Sequence, residues 1–261
     1  MRIFILIFSA ILFLNSHAKN YRILSTLPSF TESMFYLDAG DLLVGVSNYC
    51  NYPEGAKKLP RYGSSFEINL EKVVSDKVTS VLLAEVQGGR VKKNLEKLGV
   101  EVIITPYKKL GDAVEMLKIF NKKFKLNKDQ KILNFANKLD ALLRPISKGK
   151  RVLMVIDEKF KDGKLHEVRA IGVDNYYHEI LTKLGAKNIV TESGYPLRSL
   201  ESLLTSKFDL ILRISDRKVK SEEDWKNSLF KDKIYLYEKD YAVVLGPRTL
   251  SLVKDFREIL K

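Results

Sequence analysis

The chain has one cysteine, Cys50, among 261 residues, with 7 prolines, 14 glycines, 3 histidines and a single tryptophan. One thiol can form neither an internal disulfide nor a cysteine metal cluster, which excludes a disulfide-stapled scaffold and a zinc ribbon. Scarce Gly and Pro, beside 45% hydrophobic residues, exclude collagenous and disordered chains. No G-x-S-x-G, H-E-x-x-H, Walker A loop or G-x-G-x-x-G occurs, and nothing pairs a nucleophile with a base, so no enzyme is expected. Past the N-terminal segment the histidines are His166 and His178. Neither has a second histidine at ligand spacing, so no metal site is expected and each reads as a surface or hydrogen-bonded side chain. The formal charge is +13, from 45 Lys+Arg against 32 Asp+Glu. The basic pairs Lys57-Lys58, Lys92-Lys93 and Lys122-Lys123 are spaced among acidic residues and leucines, as on solvated helix faces, and nucleic-acid binding is not expected.

Long hydrophobic runs are also missing, with one exception. Residues 3–14 are apolar apart from Ser9, follow Arg2, and precede Ser16-His17-Ala18. That is the basic, apolar and small-residue order of a cleavable signal peptide, too short to span a bilayer. Residues 1–18 are therefore read as an export signal cleaved after Ala18, which releases the chain into the periplasm. No cysteine follows the run, so no lipid anchor is expected. In an oxidising compartment the unpaired Cys50 reads as a shielded thiol.

From Tyr21 onward short β-rich runs alternate with longer helical ones, the pattern of parallel sheets covered by helices. Strands are expected at Arg22–Ser25, Leu43–Val46, Thr79–Ala84 and Val100–Thr105, then at Val152–Ile156, Lys187–Val190, Asp209–Ile214 and Ile234–Tyr237. Helices are expected at Ser29–Asp38, opened by a Ser29-x-x-Glu32 capping box, and at Asn175–Leu184, Leu200–Ser206, Glu222–Ser228 and Pro247–Leu260,. Gly40 and Gly99 fall where helices hand over to strands, positions that favour positive φ. Between the two series, Ile132, Phe135, Ala136, Leu139, Leu142, Leu143 and Ile146 recur at helical spacing. A stiff helix over Asn127–Ser147, about 30 Å long, is expected to join the halves. The fold class is thus α/β: two Rossmann-like lobes with parallel sheets, at residues 19–126 and 149–261, linked by a helix over 127–148.

One stretch is echoed. Asn69-Leu70-Glu71 leads through Val73-Val74 to Val81-Leu82-Leu83, and Ser199-Leu200-Glu201 leads through Leu203-Leu204 to Leu210-Ile211-Leu212. Each reads as a capped short helix with a first-turn carboxylate, running into a buried strand. A first-turn carboxylate alone only complements the helix dipole. The repetition in both halves points to one two-pronged contact surface.

Further segments carry a resemblance. Arg22-Ile-Leu-Ser-Thr-Leu-Pro-Ser-Phe-Thr-Glu32, Leu43-Val-Gly-Val-Ser-Asn-Tyr-Cys-Asn-Tyr-Pro53, Leu59-Pro-Arg-Tyr-Gly63, Asn69-Leu-Glu71, Gly88-Gly89 and Gly246-Pro-Arg248 follow one another as in the periplasmic cobalamin-binding proteins of ABC importers. The wider family includes receptors for ferric siderophores. The resemblance spans the mature chain and implies two lobes, a rigid connecting helix and a ligand in the cleft between them. It implies ligand contacts at Tyr49, Phe66, Tyr195 and Asp240, with Tyr241 beside the last, all in loops after strands or before helices. Glu85 and Arg169 stand where family members often carry aromatics, and Val244 where a ligand-contacting Arg is known. Glu85 and Arg169 then either pair across the lobes, grip a more polar ligand, or are exposed loop residues. The resemblance also implies that Glu71 and Glu201 dock onto arginines of the permease dimer, that the protein is a monomer, and that it carries cobalamin as ligand without a cofactor. A receptor for a ferric siderophore or haem, and an exported α/β enzyme, are the alternatives.

Overall fold

The computed structural model describes residues 21–87 and 89–261; the expected signal segment 1–18 and Gly88 lie outside them. The first half runs β1 (Ile23–Ser25), α1 (Pro28–Tyr36), β2 (Leu43–Val46), α2 (Glu54–Lys57), α3 (Leu70–Ser75), β3 (Ser80–Ala84), α4 (Gly89–Lys97), β4 (Glu101–Thr105) and α5 (Asp112–Phe124). Helix α6 (Asp129–Leu142) crosses to the second half: β5 (Arg151–Lys161), β6 (Lys164–Ala170), α7 (Tyr176–Lys183), β7 (Lys187–Asn188), β8 (Leu197–Ser199), α8 (Leu200–Thr205), β9 (Leu210–Ser215), α9 (Glu222–Lys226), β10 (Ile234–Glu238) and α10 (Thr249–Leu260).

The first sheet is wholly parallel, in the order β2-β1-β3-β4. Every residue of β1 and β3 is buried, as an inner strand covered on both faces requires. The second sheet has the order β10-β9-β5-β6-β8, with β7 also on β5. Its β5, β7, β9 and β10 are parallel, while β6 is antiparallel to β5 and β8 to β6. The two-lobed α/β fold is therefore present, with one correction: the second sheet is mixed, and β5 runs well past Ile156. The turn between β5 and β6 is Asp162-Gly163, both at positive φ, the backbone a tight two-residue hairpin needs.

The connecting helix is shorter than expected, 14 residues or about 21 Å at 1.5 Å per residue. Asn127 lies at φ 56°, outside helical space. The Asn121 side chain clamps the preceding turn, accepting from Lys128 N at 2.8 Å and donating to Asp129 at 3.0 Å. At the other end Arg257 of α10 donates to the Leu142 and Arg144 carbonyls at 2.7 and 2.8 Å, satisfying groups the helix leaves open. Helix α6 buries Ile132, Phe135 and Leu139. It packs against α5 and α10, and one apolar core runs from Ile23 and Phe30 through Phe120 and Phe135 to Val152, Phe256 and Leu260.

The expected capping box is not formed. Helix α1 starts at Pro28 with Leu27 as an uncapped N-cap residue, the position at which proline's missing N–H costs nothing; Ser29 and Glu32 make other bonds. Gly99 takes positive φ, but at the α1 exit that conformation falls to Asp38. Gly40 is needed for space, since a Cβ there would meet the Phe35 ring at 2.6 Å. Cys50 is buried beside Ser47, and burial raises its thiol pKa.

Candidate ligand-binding cleft

The C-terminal ends of the parallel strands of both sheets open onto one cleft, where open α/β sheets place their ligands. From the first lobe come the start of α1 after β1, the loop carrying Tyr49 and Tyr52 after β2, Val86 after β3, and Tyr107 and Lys108 after β4. From the second come Arg213–Arg217 at the end of β9, the segment from Asp240 to Arg248 after β10, and Asp174–Tyr177 at the start of α7. Asn175 caps α7 by accepting from Tyr177 N and His178 N, which sets the two tyrosines at the cleft floor.

Two cavities share Tyr107, Asp216 and Val243 as lining. The first, about 690 Å³, is walled by Tyr107, Tyr176, Tyr177, Tyr195, Ile156 and Ile214, with Lys108, Asp174 and Arg213 among its charged members. The second, about 600 Å³, holds Tyr49, Tyr52, Glu32, Asp240, Arg217 and Arg248.

Two clasps cross the cleft. Arg248 grips Glu32 of α1 bidentately, with Nε on Oε2 at 2.8 Å and Nη2 on Oε1 at 2.6 Å. Its Nη1 donates to Asp240 at 2.6 Å, and the guanidinium lies 4.0 Å from the Tyr52 ring centre. The Glu32 side chain is 1% exposed. Burial raises its carboxyl pKa, and the Arg248 hydrogen bonds only partly offset this. Burial alone would lower Arg248, but Glu32 and Asp240 outweigh it and hold the guanidinium above its usual range. The second clasp is the Tyr107 hydroxyl. It accepts from Ser29 Oγ at 3.0 Å and from Leu245 N at 3.2 Å, and donates to the Val243 carbonyl at 3.2 Å. Beside it Lys108 pairs with Asp174 at 2.7 Å, and Leu110 N donates to Glu179 at 3.1 Å.

Of the residues singled out from the sequence, Tyr49 and Asp240 line the second cavity and Tyr195 the first. Phe66 sits in the loop before α3, 64% exposed, and lines neither. Tyr241 is half-buried and turns its hydroxyl to Asp255 at 2.7 Å; burial and that carboxylate push its pKa up to about 12. Glu85 is exposed at the start of a 3₁₀ turn, Glu85–Gln87, and its neighbour Val86 lines the first cavity. Arg169 is exposed on strand β6, not on a loop, and Nη1 reaches the Tyr195 carbonyl at 3.5 Å. Among the described residues no ion pair joins Glu85 to Arg169. Val244 is buried and lines the second cavity.

The echoed helices, which line neither cavity, form as read. Asn69 accepts from Lys72 N at 2.9 Å to cap α3, and Ser199 from Ser202 N at 3.3 Å to cap α8. Glu71 and Glu201 are exposed in the first turns. His166 is exposed and His178 half-buried with Nδ1 unpartnered.

The chain matches no established family profile. Several relatives match nearly all of it. The vitamin B12-binding protein of Vibrio campbellii is 25% identical, over 97% of this chain and 93% of that protein. The uncharacterised ABC transporter substrate-binding lipoprotein YvrC of Bacillus subtilis is 24% identical, over 91% of this chain and 79% of that one. A possible iron-binding periplasmic solute-binding protein of Staphylococcus epidermidis superimposes with a TM-score of 0.77, at 26% identity over 92% of this chain and 99% of that one. The chain is a substrate-binding protein of an ABC importer.

The same fold is seen in the periplasmic haem-binding protein HutB of Vibrio cholerae, with a TM-score of 0.76 at 17% identity over 92% of this chain and 99% of that one. As a substrate-binding protein it captures a small molecule for a permease and does not transform it. No described helix is long and apolar enough to cross a membrane. Tyr52, Tyr107, Tyr176, Tyr177 and Arg213 of this receptor's cleft were not singled out from sequence. The Asp162-Gly163 pair was a legible hairpin signal that would have extended β5 and added β6.

Proposed function

We propose that this receptor captures cobalamin, or a related corrinoid, in the cleft between its lobes and delivers it to an importer permease. The supporting observation is the pair of adjoining cavities with tyrosine walls and a charged Glu32–Arg248–Asp240 group at one side. A corrinoid is a broad, partly apolar disc fringed with amides, which suits flat aromatic walls and a few fixed polar groups. In this reading Tyr49, Tyr195 and Asp240 contact the ligand with Tyr52 and Tyr107, while Phe66, Glu85, Arg169 and Tyr241 line neither cavity. A second reading, an anionic iron chelate or haem, is favoured by the cations Lys108, Arg213 and Arg217 along the lining,. Titration of the purified protein with cyanocobalamin, ferric siderophores and haem, followed by tyrosine and Trp225 fluorescence, tests the two. Stoichiometric cobalamin binding supports the first; chelate or haem binding without cobalamin replaces it with the second.

The same proposal gives Glu71 and Glu201 the docking role. Each helix exposes a carboxylate and, three residues later, an apolar side chain, Val74 or Leu204. Such a matched pair suits a two-fold permease dimer offering arginines twice, with the receptor docking as a monomer. Residues 1–18 serve as the export signal, and the mass of the mature protein, starting at Lys19 without an acyl group, tests that. The working division is one lobe at 19–126, the connector at 127–148 and the second lobe at 149–261.

A further inference from the structure

The first cavity contains a charged group that the lobe-bridging clasps do not use. Arg213, at the end of β9, lines it with a side chain only 10% exposed. Its Nε donates to Glu158, and Nη1 to the Ile214 carbonyl at 2.5 Å. The other Glu158 oxygen accepts from Ser221, and that carboxylate is 5% exposed. Guanidinium carries five N–H donors in a plane, and among the described residues no protein acceptor takes the Nη2 amine. The carboxylates lining the same cavity are already engaged, Asp174 by Lys108 at 2.7 Å and Asp216 by Arg217 at 2.9 Å.

A buried arginine is tolerated where its charge is balanced and its donors are used. Glu158 supplies the balance and fixes the plane of the fork. Arg213 is thereby held at the wall of an apolar, tyrosine-walled space, where a charge-assisted hydrogen bond is strongest. We infer that Arg213 is a specificity-determining residue that receives an anionic oxygen group, carboxylate or phosphate, on the buried edge of the ligand. This rests on the reading of the cleft as a macrocycle site and narrows it: the ligand is a macrocycle with at least one acidic substituent.

Two ligand pairs address that substituent. Haem dimethyl ester keeps the iron and ring of haem but lacks its free carboxylates; cobinamide keeps the corrin of cobalamin but lacks its phosphodiester together with the ribose and base, so for that pair the change of preference between wild type and variant is the readout. Each pair is titrated into the wild-type protein and into Arg213→Lys, which retains a cation beside Glu158. The expected result is that, for whichever macrocycle binds, wild type prefers the anionic member by about tenfold or more. In the variant the preference narrows to below about threefold, because a lysine point charge cannot reproduce the fork. Equal binding of both members by wild type, or an unchanged preference in the variant, overturns the role of Arg213 and leaves the macrocycle reading standing. If none of the four compounds binds, the macrocycle reading fails and the inference with it. Should Arg213→Lys not fold, the wild-type preference between paired ligands decides alone.

Discussion

The two lobes are alike in the short helices that line neither cavity and unlike where they face each other. Helices α3 and α8 repeat the same construction: a side-chain cap at Asn69 or Ser199, an exposed first-turn Glu, an exposed apolar residue one turn on, and a buried strand after it. At the cleft the symmetry ends. The first lobe closes its wholly parallel sheet with small buried polar groups, Ser25 and Thr26. The second extends β5 into a hairpin, and that extension supplies Glu158, which holds Arg213 at the cavity wall. Duplicated helices suit a partner that is itself two-fold; unlike inner faces suit a ligand with one acidic edge.

The largest expected effect comes from breaking the clasp that joins the unlike faces. Arg248→Ala leaves the Glu32 carboxylate buried without a counter-charge and is expected to destabilise the protein by about 3 kcal/mol in chemical denaturation at neutral pH. Tyr107→Phe removes one hydroxyl that serves both lobes, leaving the Ser29 and Leu245 donors and the Val243 carbonyl short of a partner; about 2 kcal/mol is expected by the same measurement.

The duplicated helices are addressed by Glu71→Ala with Glu201→Ala. Permease binding, measured by co-purification or surface capture, is expected to weaken about tenfold or more while ligand affinity stays within about twofold. A double variant that docks and transports normally would remove the duplicated-prong half of the comparison. The smallest effect is a pH slope. Because burial raises the Glu32 carboxyl above its usual 4.5, the native state binds more protons there than the unfolded state. Its contribution is therefore fully present below that value and is lost as pH rises through the folded pKa. Glu32→Gln removes this slope, so its unfolding free energy relative to wild type is expected to improve as pH climbs above 4.5; a flat difference counts against a raised Glu32.

Sequence legibility followed the distance between interacting residues. The alternation of strand and helix, the apolar stripe of α6 and the caps at Asn69 and Ser199 were readable because periodicity and capping act within a few residues. The Ser29-x-x-Glu32 pattern obeyed the same local rule and still misled. Pro28 claims the helix start, and Glu32 is taken by an arginine 216 residues away. The connecting helix is shorter than the sequence suggests because Leu143 and Ile146 keep the apolar spacing past the helix end, where Arg257 holds the backbone, and Asn121 fixes the turn before Asp129.

The sequence by itself determined the two α/β series, the helix between them and the echoed capped carboxylates, since hydrophobic period and cap chemistry are local properties of the chain. Only the tertiary structure decided what faces the cleft. The Glu32–Arg248 clasp, the shared Tyr107 hydroxyl and the Arg213–Glu158 pair each join residues far apart in the chain. Their charges and hydroxyls acquire a role only when folding removes them from water and sets a particular partner within hydrogen-bond reach.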